Sequence, residues 1–281
     1  MNKLVTVGIA LYNHENYIKE CIESILNQTY NNIEIIVIDD GSKDQSYAAA
    51  KAVLEAQKTR TYQIITRPNR GMCNTLNEII DRANGEYVSF IGSDDFWHPE
   101  KIAKQVAYLE EHPEKALVHC NSWVVDGNSE SYSELDFSGK INEGRLFEAI
   151  LTGKGGINTP CHLYRRSVYD TIGVYDPAFR FEDTDFWLRL TDAFDVGFLN
   201  EKLSYYRIHK NNLSRDDNLL TFYNDEIVRI YQKNVRDKEL LKRSVLRMYR
   251  KSFLRALRSG KPGYFVKYLV RYWLCRLLEK C

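Results

Sequence analysis

Three short acidic clusters carry most of the chemistry this chain offers: Asp39-Asp40 before Gly41-Ser42, Asp94-Asp95 after Gly92-Ser93, and Glu182-Asp183-Thr184-Asp185. Adjacent carboxylates at a strand end suit Mg²⁺ or Mn²⁺, hard ions that take oxygen ligands and bind through one or two carboxylates plus substrate phosphates. The Asp94-Asp95 pair equally suits a solvated turn that caps the helix after Pro99. Asp39-Asp40 suits hydrogen bonds to a nucleobase or ribose, or a helix cap shared with Ser42 and Asp44. The third cluster opens the helix-like run Phe186-Trp187-Leu188-Arg189-Leu190. Acids there complement the helix dipole, and one of them beside a hydroxyl becomes a general base. Free amide groups at that helix start predict a lowered pKa for a nearby carboxylate. Arg67, Arg70, Arg165 and Arg166 are candidates for pairing with phosphate or a base edge, Arg70 ahead of Arg166. Gly155-Gly156 predicts a flexible lid. Neither GxGxxG nor GxxxxGK[ST] occurs, so neither a dinucleotide oxidoreductase nor a P-loop NTPase is supported.

These groups need a scaffold that brings distant segments together. Residues 4–10 are rich in β-branched side chains and apolar on both faces, as in a strand buried within a parallel sheet. Ile18, Cys21, Ile22, Ile25 and Leu26 recur at helical spacing, and residues 33–38 repeat the strand signature. The pattern continues with a helix over 46–56, a strand over 62–66, a helix over 72–83 and a strand over 87–91. Beyond it come a helix over 101–111, a strand over 116–125, a polar loop over 126–144, a helix from Glu182, strands over 196–199 and 203–208, and helices to the end. Alternation of this kind predicts an α/β fold with a doubly wound, mostly parallel sheet flanked by helices. In such sheets ligands sit beyond the carboxyl ends of the strands, where the first two acidic clusters fall.

The order of motifs adds a resemblance. Tyr12-Asn13-His14-Glu15-Asn16-Tyr17, Val37-Ile38-Asp39-Asp40-Gly41-Ser42, Ala83-Asn84-Gly85-Glu86 and Ser93-Asp94-Asp95 resemble the GT-A-fold glycosyltransferases of family 2 densely over residues 4–112. The likeness thins through Glu182-Asp183-Thr184-Asp185 to Tyr206-Arg207-Ile208-His209. It implies that Tyr12 and Asp40 contact the base of a nucleoside diphosphate sugar, Asp94 its ribose, and Asp95 and His209 a Mn²⁺ or Mg²⁺ ion. It implies that Asp183 is the base of an inverting transfer, with Glu182 and Asp185 positioning the acceptor. Many relatives carry a further Asp where this chain has Gly92. The resemblance divides the chain into a nucleotide-sugar-binding half (1–100), an acceptor-binding half (101–215) and a helical extension (216–281). Rival readings are a sugar nucleotidyltransferase and a non-catalytic nucleotide-sugar or membrane-binding module. Tyr12-Asn13-His14-Glu15 lacks the Gly-rich basic loop expected of the former.

The formal net charge of +1 divides into −10 over residues 1–235 and +11 over 236–281. The basic tail is amphipathic over 238–258 and, after Pro262-Gly263, apolar but interrupted by Lys267, Arg271, Arg276 and Lys280. That pattern predicts a helix lying on an anionic membrane surface rather than spanning it, or a hairpin packed on the body. Nucleic acid is not expected as a partner, because no reader motif accompanies the charge. The predicted location is cytoplasmic, peripheral on the inner face of the membrane, with a lipid-linked glycan as acceptor. Six cysteines without CxxC spacing predict buried thiols in a reducing compartment. No signal-peptide core is expected in the seven apolar residues 4–10.

Overall fold

The computed structural model describes residues 3–210, 212 and 219–278; residues 216–218 and 279–281 of the predicted extension, Lys280 and Cys281 among them, lie outside these. The first half alternates as its periodicity predicts: β1 (Val5–Leu11), α1 (Ile18–Leu26), β2 (Ile33–Asp39), α2 (Ser46–Ala56), β3 (Thr61–Thr66), α3 (Met72–Arg82) and β4 (Tyr87–Gly92). Strands β3, β2, β1 and β4 lie side by side and parallel. All their carboxyl ends therefore face one edge. Nearly every side chain of β1 and β2 is buried because helices cover both faces. Ile18, Ile22 and Ile25 pack on one face, Leu76, Ile79 and Ile80 on the other, each buried side chain worth about 1.5–3 kcal/mol.

Glu34 is buried inside this sheet, and its carboxylate is satisfied by Thr6 Oγ1 (2.5 Å), Asn84 N (2.7 Å) and Asn84 Nδ2 (3.1 Å). Gly85 must approach so closely that a Cβ would sit 2.6 Å from Thr6 Oγ1. The Ala83-Asn84-Gly85 motif is thus a structural clasp under the sheet.

The second half is less regular: β5 (Phe96–Trp97), α4 (Lys101–Glu111), β6 (Lys115–Val125), β7 (Ser131–Leu135), α5 (Phe147–Thr152), β8 (His162–Arg165), α6 (Val168–Ile172), α7 (Glu182–Ala193) and β9 (Asp195–Arg207). Strand β8 inserts antiparallel between β4 and β6, and β9 runs parallel to β6. One mixed, mostly parallel sheet therefore runs through both predicted halves. The two strands expected over 196–208 are one strand whose register shifts beside Cys120 and Asn121. The polar loop contains β7, an edge strand paired only with β6 and too exposed to show alternation. The Gly155-Gly156 segment is no free lid. Gly155 N donates to Ala149 O (3.1 Å) and Gly156 N to Ile141 O (3.3 Å).

Cys120 and Cys161 form a disulfide with Cα atoms 5.6 Å apart, which corrects the expectation of thiols throughout. The β6–β8 register pairs His119 with His162, so the neighbouring positions face one another at bridging distance. Cys21 and Cys73 are free and buried.

Three helices complete the described chain: α8 (Leu219–Asn234), α9 (Lys238–Arg258) and α10 (Pro262–Leu278). Pro262 opens α10, where its missing N–H costs nothing. Ile227, Ile230 and Tyr231 of α8, Val245 and Met248 of α9, and Tyr268 and Cys275 of α10 bury a shared core against Leu151 and Leu188. The tail is thus a hairpin packed on the body. Lys267 (2.7 Å) and Arg271 both reach Asp225, and Arg243 reaches Glu148. Among the described residues no helix is long and apolar enough to cross a membrane.

Candidate active site at the carboxyl edge of the sheet

The turns after β1 and β2 are tied to one another. Asn13, in the left-handed region at φ 54°, donates its N–H to Ser42 Oγ (2.9 Å) and accepts from Lys43 N through Oδ1 (2.8 Å). Tyr12, just before it, is 43% exposed and stands out from the edge. Asp40 is buried, and its carboxylate accepts from Arg70 N (2.8 Å), Gly71 N (2.9 Å) and the Arg67 guanidinium. Arg67 also reaches Glu78 (2.8 Å) and Thr75 Oγ1 (2.9 Å). Asp40 and Arg67 therefore brace the loop that presents the exposed Arg70 side chain. Arg165 caps the end of α4, donating to Leu109 O, His112 O and Lys115 O. Because β8 runs antiparallel to β4, Arg165 lies opposite Tyr87, at the amino end of β4. Arg165 and the neighbouring Arg166 are thereby removed from the edge that holds the acidic clusters, contrary to the sequence expectation.

The ends of β1, β4 and β9 bring His14, Asp94 and His209 into one cluster. Each offers a ligand atom, and these atoms lie within 4.8 Å of one another. His209 Nε2 is 3.0 Å from Asp94 Oδ2, and His14 Nδ1 is 3.9 Å from Asp94 Oδ1. One carboxylate and two imidazoles are a donor set that fits a divalent cation. Asp95 differs from its expected place. It is buried, its Oδ1 accepts from Arg207 N (2.8 Å), and burial followed by the charge of Asp94 pushes its pKa up. The pair lies in the turn between β4 and β5, closed by Asp95 N to Gly92 O (3.0 Å), where Asp94 meets the histidines while Asp95 turns inward. Arg207, almost wholly buried, donates to Asp94 O (2.7 Å), Asp126 O (3.0 Å) and Glu20. Through it β9 is clamped onto the β4 turn.

Helix α7 opens at Glu182. Its start lies beside that of α3, since Cys73 Sγ contacts Phe179 O (3.2 Å) and Asp176 O (3.4 Å). Asp183 accepts from Thr184 Oγ1 (3.2 Å) and Thr159 Oγ1 (3.4 Å). Burial raises its pKa despite those donors, the reverse of the shift expected from the helix start. Glu182 is pushed up to about 8, first by burial and then by the charge of Asp183.

That shift sets a pH dependence. The ordinary value for Glu182 is 4.5, so its contribution to stability is full below pH 4.5 and is lost as pH rises through about 8. Glu182→Gln should match the parent melting temperature near pH 4. At pH 9 it should be more stable by about 2 kcal/mol, read from melting curves across the range.

Asp185 is fully buried and accepts from Arg189 Nε (2.9 Å), Lys233 Nζ (2.8 Å) and Asn234 Nδ2 (2.9 Å). It joins α7 to α8 and has no face toward an acceptor, so the positioning role expected for it is corrected. Asp185→Ala leaves two cations without their buried partner, and urea unfolding should show a loss of about 3 kcal/mol.

Sequence reasoning passed over His14 and Arg207, and it marked Arg67 for phosphate or a base edge where the fold pairs it with Asp40 and Glu78 instead. A lone histidine in a turn and an arginine in a strand carry no spacing signal. His14 stood inside the quoted motif, but only the fold sets it beside residues 94 and 209.

A mixed, mostly parallel sheet with these groups gathered at its carboxyl edge is of the GT-A class of fold. Solved structures agree. S. aureus TarS 1-349 in complex with UDP-GlcNAc superposes with a TM-score of 0.68 at 17% identity, covering 96% of this chain and 81% of that one. Mannosyltransferase PcManGT from Pyrobaculum calidifontis, in complex with GDP-Man and Mn²⁺, gives 0.63 at 15% identity, covering 100% and 89%. Residues 6–173 match the model of glycosyl transferase family 2, and the chain belongs to that family. It is 31% identical over 237 residues to the putative glycosyltransferase EpsE of Bacillus subtilis, covering 81% of each chain. It is 31% identical over 209 residues to an uncharacterized glycosyltransferase of Rickettsia typhi, covering 73% of this chain and 64% of that one. An uncharacterized glycosyltransferase of Rickettsia conorii is 33% identical over 217 residues, of which the chain spans 35% of the length.

Proposed function

We propose that the chain is an inverting, metal-dependent glycosyltransferase that moves a sugar from a UDP-sugar to a hydroxyl of a lipid-linked glycan in bacterial surface polysaccharide synthesis. The observation that carries this reading is the meeting of His14, Asp94 and His209 at the carboxyl edge of a GT-A sheet. Asp94 and His209 would hold Mn²⁺ or Mg²⁺, which would supply stabilisation of the charge that develops on the departing diphosphate. Tyr12 offers its exposed ring to the base, while Asp40 acts on the donor indirectly by shaping the loop that presents Arg70. Asp183, beside Thr159, takes the proton of the attacking hydroxyl. The nucleotide sugars bound by TarS and PcManGT support a donor of this class.

The tail supports a membrane-side acceptor. Val266, Val270, Trp273, Leu274 and Leu277 form an exposed apolar stripe on α10. Arg250, Lys251, Arg255 and Arg258 stand exposed on α9. Apolar and cationic groups together fit an anionic bilayer surface.

Incubation with a panel of nucleotide sugars and Mn²⁺ or Mg²⁺ tests the proposal. Slow metal-dependent release of UDP is expected, accelerated by a lipid-linked acceptor. Thermal stabilisation without release would leave the non-catalytic nucleotide-sugar-binding reading in its place, and absence of both with every donor would leave the membrane-binding one.

A further inference from the structure

We infer that His14 is a third metal ligand and that it turns the site's preference from Mg²⁺ toward Mn²⁺. The inference rests on the assignment of Asp94 and His209 to the metal. His14 is held from several sides. Its backbone N–H donates to Ser46 Oγ (2.7 Å), its Nδ1 shares a hydrogen bond with Ser93 Oγ (2.7 Å), and Asn13 fixes the turn before it. Its ring meets that of His209 edge-on, with centroids 5.5 Å apart at 89°. Tyr17 stacks on His209 (4.9 Å, 30°) and meets His14 edge-on (6.1 Å). Three rings thus fix one another with two imidazoles close to a single carboxylate.

Gly92 bears on the same point. A Cβ there would lie 2.8 Å from Asp94 Oδ1 and 3.0 Å from Asp95 Oδ2, so a side chain at residue 92 would crowd both carboxylates. The chain supplies no carboxylate from that position, and His14 supplies a nitrogen from across the cluster. Mg²⁺ favours oxygen ligands in strict octahedral geometry, whereas imidazole suits transition metals. Nδ1 is both the nitrogen that Ser93 holds (2.7 Å) and the one that faces Asp94 Oδ1 (3.9 Å), so an ion bound there replaces the Ser93 hydrogen bond on a ring already in place.

Titration of the full chain with Mn²⁺, followed by the electron paramagnetic resonance of free ion, and with Mg²⁺ in competition, tests this with and without UDP. His14→Ala should weaken Mn²⁺ binding by about tenfold or more while changing Mg²⁺ binding by less than about threefold. His14→Asp, which restores an oxygen donor, should narrow the Mn²⁺/Mg²⁺ ratio. Nitrogen modulation of the Mn²⁺ spin echo in the parent chain should report two imidazoles, and this arm needs no variant. A single imidazole in the parent, or unchanged Mn²⁺ binding in His14→Ala while Asp94→Ala loses it, overturns the role of His14 and leaves the metal assignment standing. Unchanged binding in both variants, or no binding in the parent, removes the metal assignment along with it.

Discussion

Asp183→Asn should lower glycosyl transfer by about three orders of magnitude and leave binding of the nucleotide sugar near the parent value. The amide keeps the shape of the carboxylate, with one threonine hydroxyl still donating to its oxygen and the other turning to accept from its NH2, so the fold has little to adjust. What it removes is a group able to take a proton. Burial raises the pKa of Asp183 above its ordinary 3.8, which makes the carboxylate a stronger base than a solvated one. The base must be ionised to act, so the parent rate should climb with pH on a limb displaced above the usual carboxylate range. The variant should lose that limb. Transfer kinetics at saturating acceptor, paired with donor binding by calorimetry, separate the two effects. Equal loss of transfer and donor binding would move Asp183 out of the base role.

Asp94→Ala should be as severe by another route. Its carboxylate is the common neighbour of His14 and His209, so its removal leaves the cluster without an anion to hold a dication. Loss of several kcal/mol of charge stabilisation corresponds to about a thousandfold in rate. The metal-dependent stabilisation by UDP in a melting experiment should disappear with it. Asp95→Asn is the informative partner. An amide oxygen can still accept from Arg207 N, where Asp95 Oδ1 sits at 2.8 Å, so metal-dependent UDP binding should survive. A loss in Asp95→Asn equal to that in Asp94→Ala would return the metal to Asp95.

The first four strands and three helices were legible because each is a short stretch whose neighbours in the sheet are consecutive or nearly so. A continuous apolar run reports a strand buried on both faces, and a 3.6-residue period reports a helix covered on one. The second half was read less well where tertiary contacts override local pattern. Strands β5 and β8 have two and four residues, too few to show a period, and β7 is exposed at an edge. The basic tail was legible as amphipathic helices, yet which cations are spent on the body depended on Asp225 and Glu148 lying opposite them.

The acidic clusters divide the same way. Residue types, order and alternation were enough to place two of them at strand ends, to mark the third as a helix start and to connect the set with a family. Composition along the chain carried that much, because strand ends follow from where an apolar run stops. Which carboxylate of each pair does what was decided by packing across large sequence separations. Asp40 is taken up by the 67–71 loop, Asp95 by the backbone of Arg207, and Asp185 by Lys233 and Asn234. Asp94 and Asp183 keep the outward places. A carboxylate's role depends on which donors and charges surround it in space, and those come from segments up to 115 residues away, as between His209 and Asp94.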